Sequence, residues 1–286
     1  MHRVIIAFLP FFLVSCSSLM REHYEFKLTK SEIHPGFVKK MTYKLPARSK
    51  KVKLHCNNKR AGIAIDGDLL KSFISLNYKS EKKALLCELS FKRGFHSYRG
   101  EIFQFKVTPY KYPTSYIKVD KKHVDLSSKD LARWQREMKE VKAAYEKQIY
   151  DYPLFKGPFM KPLKSKVTAA FGSKRVFNNK KDAWHSGVDL RARRPTPIPV
   201  ANDGKVIYTN HLFFNGKAVF VDHGMGIITM YCHLSQIKVA AGDMVKKGDI
   251  IGISGNTGRS SAPHLHWGTR VNGNWVSGLK LIQEGI

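Results

Sequence analysis

His185-Ser-Gly-Val-Asp189, Tyr231-Cys-His-Leu234 and Pro263-His-Leu-His-Trp267 are the three runs on which the reading of this 286-residue chain turns. Residues two apart in a strand face the same way, so His264 and His266 point to one side with Leu265 opposite, in the core. The same rule puts Tyr231 and His233 on one face and Cys232 on the other. Cys232 then reads as a buried apolar filler, the usual fate of a free cysteine. A catalytic zinc takes three protein ligands from His, Asp, Glu or Cys and keeps one position for water. Two imidazoles and one carboxylate carry a single negative charge, which leaves the ion a Lewis acid. Asp189 beside His185 can supply that carboxylate. A lone His-x-x-x-Asp arises by chance in a chain with twelve histidines; joined to a His-x-His and a third histidine run in one small β region, it points to a metal site.

Outward from these runs the chain reads as strands. Ser165 to Phe171, Lys205 to Asn210, Ala218 to His223, Asp249 to Ser254 and His264 to Val271 show β patterning, and Gly224-Met-Gly226 joins Ala218–His223 to Ile227–His233 as a hairpin. A polar loop is expected from Ser173 to Ala183, whose Lys174, Arg175, Lys180 and Lys181 either border a substrate groove or are ordinary loop residues. The front half, residues 24–124, has short β-branched or aromatic runs at Tyr24 to Leu28, Val52 to Cys56, Phe73 to Tyr78, Ala84 to Phe91, Glu101 to Val107 and Ser115 to Val119, which argue a small β-sandwich. Between the halves, residues 125–163 form a helix and an extended linker. Ser127 to Asp130 fits a capping box, and Leu131, Trp134, Met138, Val141 and Tyr145 recur at helical spacing toward Tyr150. Arg133, Arg136, Glu137, Lys139 and Glu140 read as its solvated face. The fold class is therefore mainly β: an accessory sandwich, a helical linker, and a C-terminal antiparallel β domain over residues 164–286.

Fifty Lys and Arg against 22 Asp and Glu give a net charge of +28, which predicts attraction to a polyanion (nucleic acid, anionic lipid or an acidic wall polymer) or, more plainly, a solvated basic surface. The N-terminus narrows the choice. Met1-His-Arg3, an apolar run from Val4 to Val14 and Leu13-Val14-Ser15-Cys16 fit a secretory signal peptide over residues 1–15. Its end resembles the bacterial lipobox, in which the cysteine becomes the lipidated first residue, with residues 16–23 as tether. That places the protein outside the cytoplasm, bound to a membrane through lipid on Cys16, and removes nucleic acid as a partner. Position 17 is not Asp, which suits the outer membrane, facing the periplasm. Export also favours a disulfide between Cys56 and Cys87, each within a strand-like run. Nothing in the sequence specifies an oligomeric state.

Residues from about 164 to 276 resemble the lysostaphin-type, LytM-like zinc metallopeptidases that act as peptidoglycan endopeptidases. The likeness runs in family order through Phe171-Gly172, His185-x-Gly-x-Asp189, His223-Gly-Met-Gly226, Tyr231-Cys-His-Leu234, Gly242-Asp-Met-Val-Lys-Lys-Gly248, Gly252-Ile-Ser-Gly-Asn-Thr-Gly258 and Pro263-His-Leu-His266. It implies a β domain of the duplicated hybrid motif type and one zinc ion held by His185, Asp189 and His266. It places His233 and His264 beside the metal-bound water and the scissile carbonyl. The substrate implied is a peptide bond in peptidoglycan cross-links or stem peptides. Trp267, where relatives often carry another aromatic, is expected to line the cleft. Gly242 to Gly258 also resembles a lipoyl or biotinyl carrier turn, against which the flanking histidines and the export signal argue. A wall-binding regulator that activates another hydrolase is the alternative function; family members of that kind lose metal ligands, and here every position is filled. A third reading makes the protein an adhesive link between membrane and wall.

Overall fold

A computed structural model describes residues 24–118, 125–146, 152–178 and 181–285. The segment expected to be a signal peptide, Cys16 and the expected tether lie outside the described residues, as do the last turn expected of the linker helix and Lys180.

The front half is a sandwich of two sheets. One has five strands in the order Thr29–Ile33, His96–Val107, Ala84–Arg93, Lys50–Cys56 and Lys59–Ala61; the other has Val38–Lys44, Leu69–Ser75 and Ile63–Asp66. Alternation in Ala84–Arg93 sends Leu85, Cys87, Leu89 and Phe91 inward, where they meet Ile33, Leu54, Leu70, Phe103 and Phe105. The first strand starts at Thr29 rather than Tyr24, because Tyr24 and Phe26 turn their rings onto Phe91 instead of joining the ladder. The strand expected from Phe73 to Tyr78 begins earlier, at Leu69. Cys56 and Cys87 are direct cross-strand partners and are joined by a disulfide.

The C-terminal half is built on an eight-stranded sheet. Its order is Val167–Ala169, Gly187–Arg191, His264–Val271, Ile227–Leu234, Gly216–Asp222, Gly204–Leu212 and Met244–Val245, with Asn274–Val276 added against His264–Val271. One face makes the core. Val188, Trp267, Tyr231 and Val219 form a row across four adjacent strands, all fully buried, and pack toward Ile198 and Ile251 of a smaller sheet. Trp267 is therefore a core residue and does not line the cleft: strand alternation places it opposite His266.

That core also takes in Val38 and Phe73 from the front sandwich. Polar contacts seal the junction. Ser75 Oγ donates to the Val271 carbonyl at 2.7 Å, Asn272 Nδ2 to the Phe73 carbonyl at 2.7 Å, and Ser277 N to the Gly36 carbonyl at 2.9 Å. Tyr112 lies against the Phe171-Gly172 motif, where a Cβ on Gly172, at φ +79°, would come within 2.2 Å of its ring. The stretch Ser173 to Ala183 is not a loop. It forms a hairpin, Lys174–Phe177 with Lys181–Trp184, and Thr114–Ile117 from the front half joins it in parallel. The strand expected in the sandwich at Ser115 to Val119 is used here.

The linker helix Ser128–Glu146 opens as its capping box requires, with Asp130 N donating to Ser127 Oγ at 3.1 Å. Only its second half docks as expected: Val141 and Tyr145 cover Leu212, Phe220, Met230 and Cys232 on the sheet's other face. Leu131 and Met138, expected on the docking stripe, are 40% and 45% exposed. Glu137, expected in solvent, is buried and accepts hydrogen bonds from Arg133 Nε at 2.6 Å and Phe213 N at 2.8 Å. The first half is thus held by polar contacts to the Leu212–Phe213 turn and by Trp134, whose ring meets Phe214 edge-on at a centroid distance of 6.2 Å.

His223 sits in the core with Nδ1 donating to the Asp203 carbonyl at 2.7 Å and Nε2 facing Thr229 Oγ1 at 2.7 Å. Burial pushes its pKa down to about 4 from an ordinary 6.5. Between those values the unfolded chain binds a proton that the folded one refuses, so stability present above pH 6.5 is lost as pH falls toward 4, on the order of 3 kcal/mol for this group. In urea titrations from pH 7.5 to 4.5, His223→Gln should show a slope of unfolding free energy shallower than wild type by about 1 kcal/mol per pH unit. Equal slopes would remove His223 as the group that excludes the proton.

Candidate metal centre

Asp189 stands directly opposite His266 in the ladder between Gly187–Arg191 and His264–Val271. Directly opposed side chains emerge on the same face, here the one away from the core. His185 precedes the strand and is fixed by its backbone, whose N–H donates to Ser173 O and whose carbonyl accepts from Gly172 N. Gly187 keeps the space between them open, since a Cβ there would lie 2.7 Å from His266 Nε2 and 2.6 Å from the Trp267 carbonyl oxygen.

The result is a triangle. His185 Nε2, Asp189 Oδ1 and His266 Nδ1 are each 2.9 Å from the other two, and all three residues are buried. His185 Nδ1 donates to the Ala170 carbonyl at 2.8 Å, so the neutral ring presents Nε2 as a lone pair. A proton on His266 Nδ1 could serve one of its two neighbours, yet the His185 Nε2 to Asp189 Oδ1 contact would still set lone pair against lone pair. Two nitrogens and a carboxylate oxygen converging in this way fit a divalent cation with borderline N and O preferences. Burial works to raise the Asp189 carboxyl, but hydrogen bonds and charge from His185 and His266 outweigh it and hold the group well below the usual carboxylate range. Burial brings His266 down to about 4, opposed by Asp189. At neutral pH Asp189 is therefore the anion of the triangle and His266 a neutral donor beside it.

The second oxygen of Asp189 is also engaged. Arg175 Nη2 donates to Oδ2, with both side chains largely enclosed. Arg175 read in the sequence as one cation among several in a polar loop. The hairpin register is what delivers it to the carboxylate, and no local signal in the sequence distinguishes it from Lys174.

His233 and His264 lie beside the triangle, with ring centroids 4.8 Å apart and His233 6.0 Å from His266. Strand alternation misplaces His233. Cys232, not His233, pairs opposite His266, while Tyr231 pairs opposite Trp267 on the core face. A regular strand would bury His233 beside Tyr231. Its backbone instead turns left-handed, φ +64°, with its N–H donated to the Asn215 carbonyl at 2.9 Å, and this brings the ring over to the metal-facing side. Cys232 shares the face of His266 and is still a filler: burial pushes its thiol up to about 12, and Asn215 Nδ2 lies 3.5 Å from Sγ.

His233 Nδ1 donates to the Thr257 carbonyl and His264 Nδ1 to the Ala262 carbonyl, each at 2.8 Å, which leaves Nε2 of each ring outside these bonds. His264 Nε2 is 3.7 Å from Asp189 Oδ1. Burial first, then the neighbouring His264 and His266, lower His233 to about 3. All five residues singled out in the sequence are thus gathered in one place.

The family model described as Peptidase family M23 matches residues 183–277. Over 118 residues the chain is 37% identical to the peptidoglycan DD-endopeptidase ShyA of Vibrio cholerae, which covers 41% of this chain and 27% of that protein. Over 93 residues it is 40% identical to the DD-carboxypeptidase/endopeptidase Mpg of Neisseria meningitidis, covering 32% of this chain and 21% of that protein. The chain therefore spans about a quarter of the length of these curated relatives. A crystal structure of a Pseudomonas aeruginosa protein described as a peptidase M23 superposes with a TM-score of 0.65 at 28% identity, over 87% of this chain and 94% of that one. That likeness extends beyond the C-terminal domain into the front sandwich. Residues 183–277 thus form a domain that matches Peptidase family M23.

Proposed function

We propose that the protein is a zinc-dependent endopeptidase that hydrolyses peptide bonds in peptidoglycan cross-links or stem peptides, tethered to a bacterial membrane by lipid on Cys16. The observation that carries the reading is the buried triangle of His185 Nε2, Asp189 Oδ1 and His266 Nδ1, whose three donor atoms converge at 2.9 Å. These residues would hold one zinc ion. When bound, zinc supplies a Lewis acid that polarises a carbonyl and acidifies a coordinated water.

The chain's own groups supply the rest. His264 has 17% of its side chain open to solvent and a free Nε2, so it takes the proton from the attacking water and returns it to the leaving amine. His233 is enclosed, and burial disfavours its charged form; its role is to accept a hydrogen bond from the reacting water through Nε2 and orient it. Arg175 fixes Asp189 in the rotamer that faces the imidazoles. Arg259, 4.3 Å from the Phe214 ring centroid and electrostatically coupled to Arg175, makes this rim cationic, which suits the carboxylates of a stem peptide.

The names of the Vibrio and Neisseria relatives support the wall as substrate. The Cys56–Cys87 disulfide suits an oxidising compartment, as export to the periplasm on an outer-membrane anchor would require. Among the described residues no helix is long and apolar enough to cross a membrane. Five convergent site residues disfavour a regulator that has lost its catalytic apparatus.

Purified residues 17–286 loaded with zinc should release fragments from cross-linked peptidoglycan, and a chelator should stop them. His266→Ala should lower the rate by at least about a thousandfold while binding to the wall survives. Unchanged cross-linked muropeptides after treatment with metal-replete protein would defeat the enzymatic reading for that substrate. Arg175→Ala should weaken zinc affinity about 10- to 100-fold in competition with a chromogenic chelator, with Arg175→Lys intermediate because a point charge replaces the planar fork. Wild-type affinity in Arg175→Ala would show that the ion pair does not position the ligand.

A further inference from the structure

Ala84–Arg93 and His96–Val107 meet in a two-residue turn, Gly94-Phe95, in which Gly94 is left-handed at φ +56° and Arg93 pairs with His96. Phe95 at its apex has a relative exposure of 104%, the highest of the exposed large apolar side chains among the described residues. A lone apolar ring on a surface is ordinary. Its surroundings here are not.

Lys92, Arg93, His96 and Arg99 lie on the same hairpin, and Lys50 stands opposite Lys92 in the adjacent strand, with Lys51 next to it. Segments 46–53 and 90–99, which make up this end of the sheet, contain no Asp or Glu. Arg99 is neutralised by Glu88 further down the strand, whereas Lys50, Lys51 and Lys92 are exposed. An apolar tip ringed by cations is the composition that settles at the boundary between anionic headgroups and acyl chains.

The base of the tip is stiff. Phe91 and Tyr98 stack at 5.1 Å, and Tyr24 packs edge-on to them at 5.3 Å and 6.0 Å. Phe26 covers Gly100, where a Cβ would meet its ring at 2.4 Å. Tyr24 is also where the described chain begins, so the segment leading from Cys16 arrives at the base of this tip. Eight extended residue steps span at most about 28 Å. A lipid on Cys16 therefore keeps a bilayer within reach of Phe95. The sandwich's other sheet is the one that supplies Val38 and Phe73 to the C-terminal core, which leaves the five-stranded sheet to carry the tip.

We propose that the Lys92–Arg99 hairpin docks on an anionic phospholipid surface, with Phe95 inserted at the headgroup boundary and Lys50, Lys51 and Lys92 against lipid phosphates. The tip supplies this affinity itself; only the statement that the anchor and the tip share one bilayer rests on lipidation of Cys16. Each basic side chain near such a surface strengthens partitioning about fivefold.

The test uses unlipidated residues 17–286, which retain every described residue, in sedimentation with phosphatidylcholine vesicles with and without phosphatidylglycerol. Binding is expected only to the phosphatidylglycerol vesicles and should weaken with added salt. Phe95→Ser should reduce it at least about tenfold, and Lys50→Ser with Lys92→Ser about 25-fold, while the melting temperature and hydrolysis of soluble muropeptides stay at wild-type values. No binding by the wild-type chain, or binding indifferent to Phe95→Ser, would overturn the proposal. So would a loss confined to purified wall sacculi, which would make the wall polymer the partner. The lipid-anchor reading fails separately: Cys16→Ala would then fractionate in cells as wild type does, with vesicle binding of residues 17–286 unaffected.

Discussion

The buried carboxylate of Asp189 is the constraint around which the C-terminal half is arranged. An ionised carboxylate taken out of water costs several kcal/mol unless every lone pair finds a partner. Here Oδ1 faces His185 and His266 while Oδ2 receives Arg175. Two imidazole nitrogens around a single oxygen leave an excess of lone pairs that a cation resolves and a proton does not. The same arrangement that is electrostatically incomplete as protein alone would become a ligand set if a metal were bound. Holding it open takes a rigid frame, which the row of Val188, Trp267, Tyr231 and Val219 behind it provides.

That frame extends into the front half. Arg175 belongs to a hairpin whose outer strand is extended by Thr114–Ile117, so the residue that holds Asp189 Oδ2 sits in a three-stranded sheet made from both halves of the chain. Tyr112, just ahead of that strand, packs on Gly172 and Phe171, and Gly172 N in turn donates to the carbonyl of His185. The front half is therefore linked to Asp189 through Arg175 and to His185 through Gly172. A free spacer would show neither the shared core around Val38 and Phe73 nor this strand addition.

The readable parts of the site are those carried by period-two geometry. His264 and His266 share a strand face with Leu265 opposite, and the alternation that predicts this holds along the whole strand. Trp267 was open to the same reasoning, since the rule that places His266 toward Asp189 places its neighbour in the core. His233 escapes the rule because one left-handed residue changes the face of everything after it, and no composition signal marks a histidine for φ +64°. Arg175 and Glu137 escape for another reason. Charged residues in polar runs read as solvated, and only tertiary partners, Asp189 for one and the Phe213 amide for the other, make them interior. The Cys56–Cys87 bond was legible because both cysteines fall within strands and export favours oxidation; their cross-strand register is a property of the fold.

The left-handed turn at His233 also explains how one sheet face serves two purposes. Met230 and Cys232 project from it into the apolar cluster under the linker helix, together with Phe220 and Val141. A strand continuing in register would carry that cluster on and would place His233 in the opposite core, where an imidazole needs a partner for each nitrogen, as His223 has in Asp203 and Thr229. Turning the backbone at position 233 ends the apolar cluster and delivers an imidazole with one nitrogen bonded and the other free. The Asn215 carbonyl satisfies the backbone N–H that the turn removes from the ladder, while the Asn215 side chain reaches Cys232 Sγ. The change from packing to chemistry is therefore made within a single peptide unit, and the strain of a non-glycine residue at positive φ lies at the point where the two uses of the sheet meet.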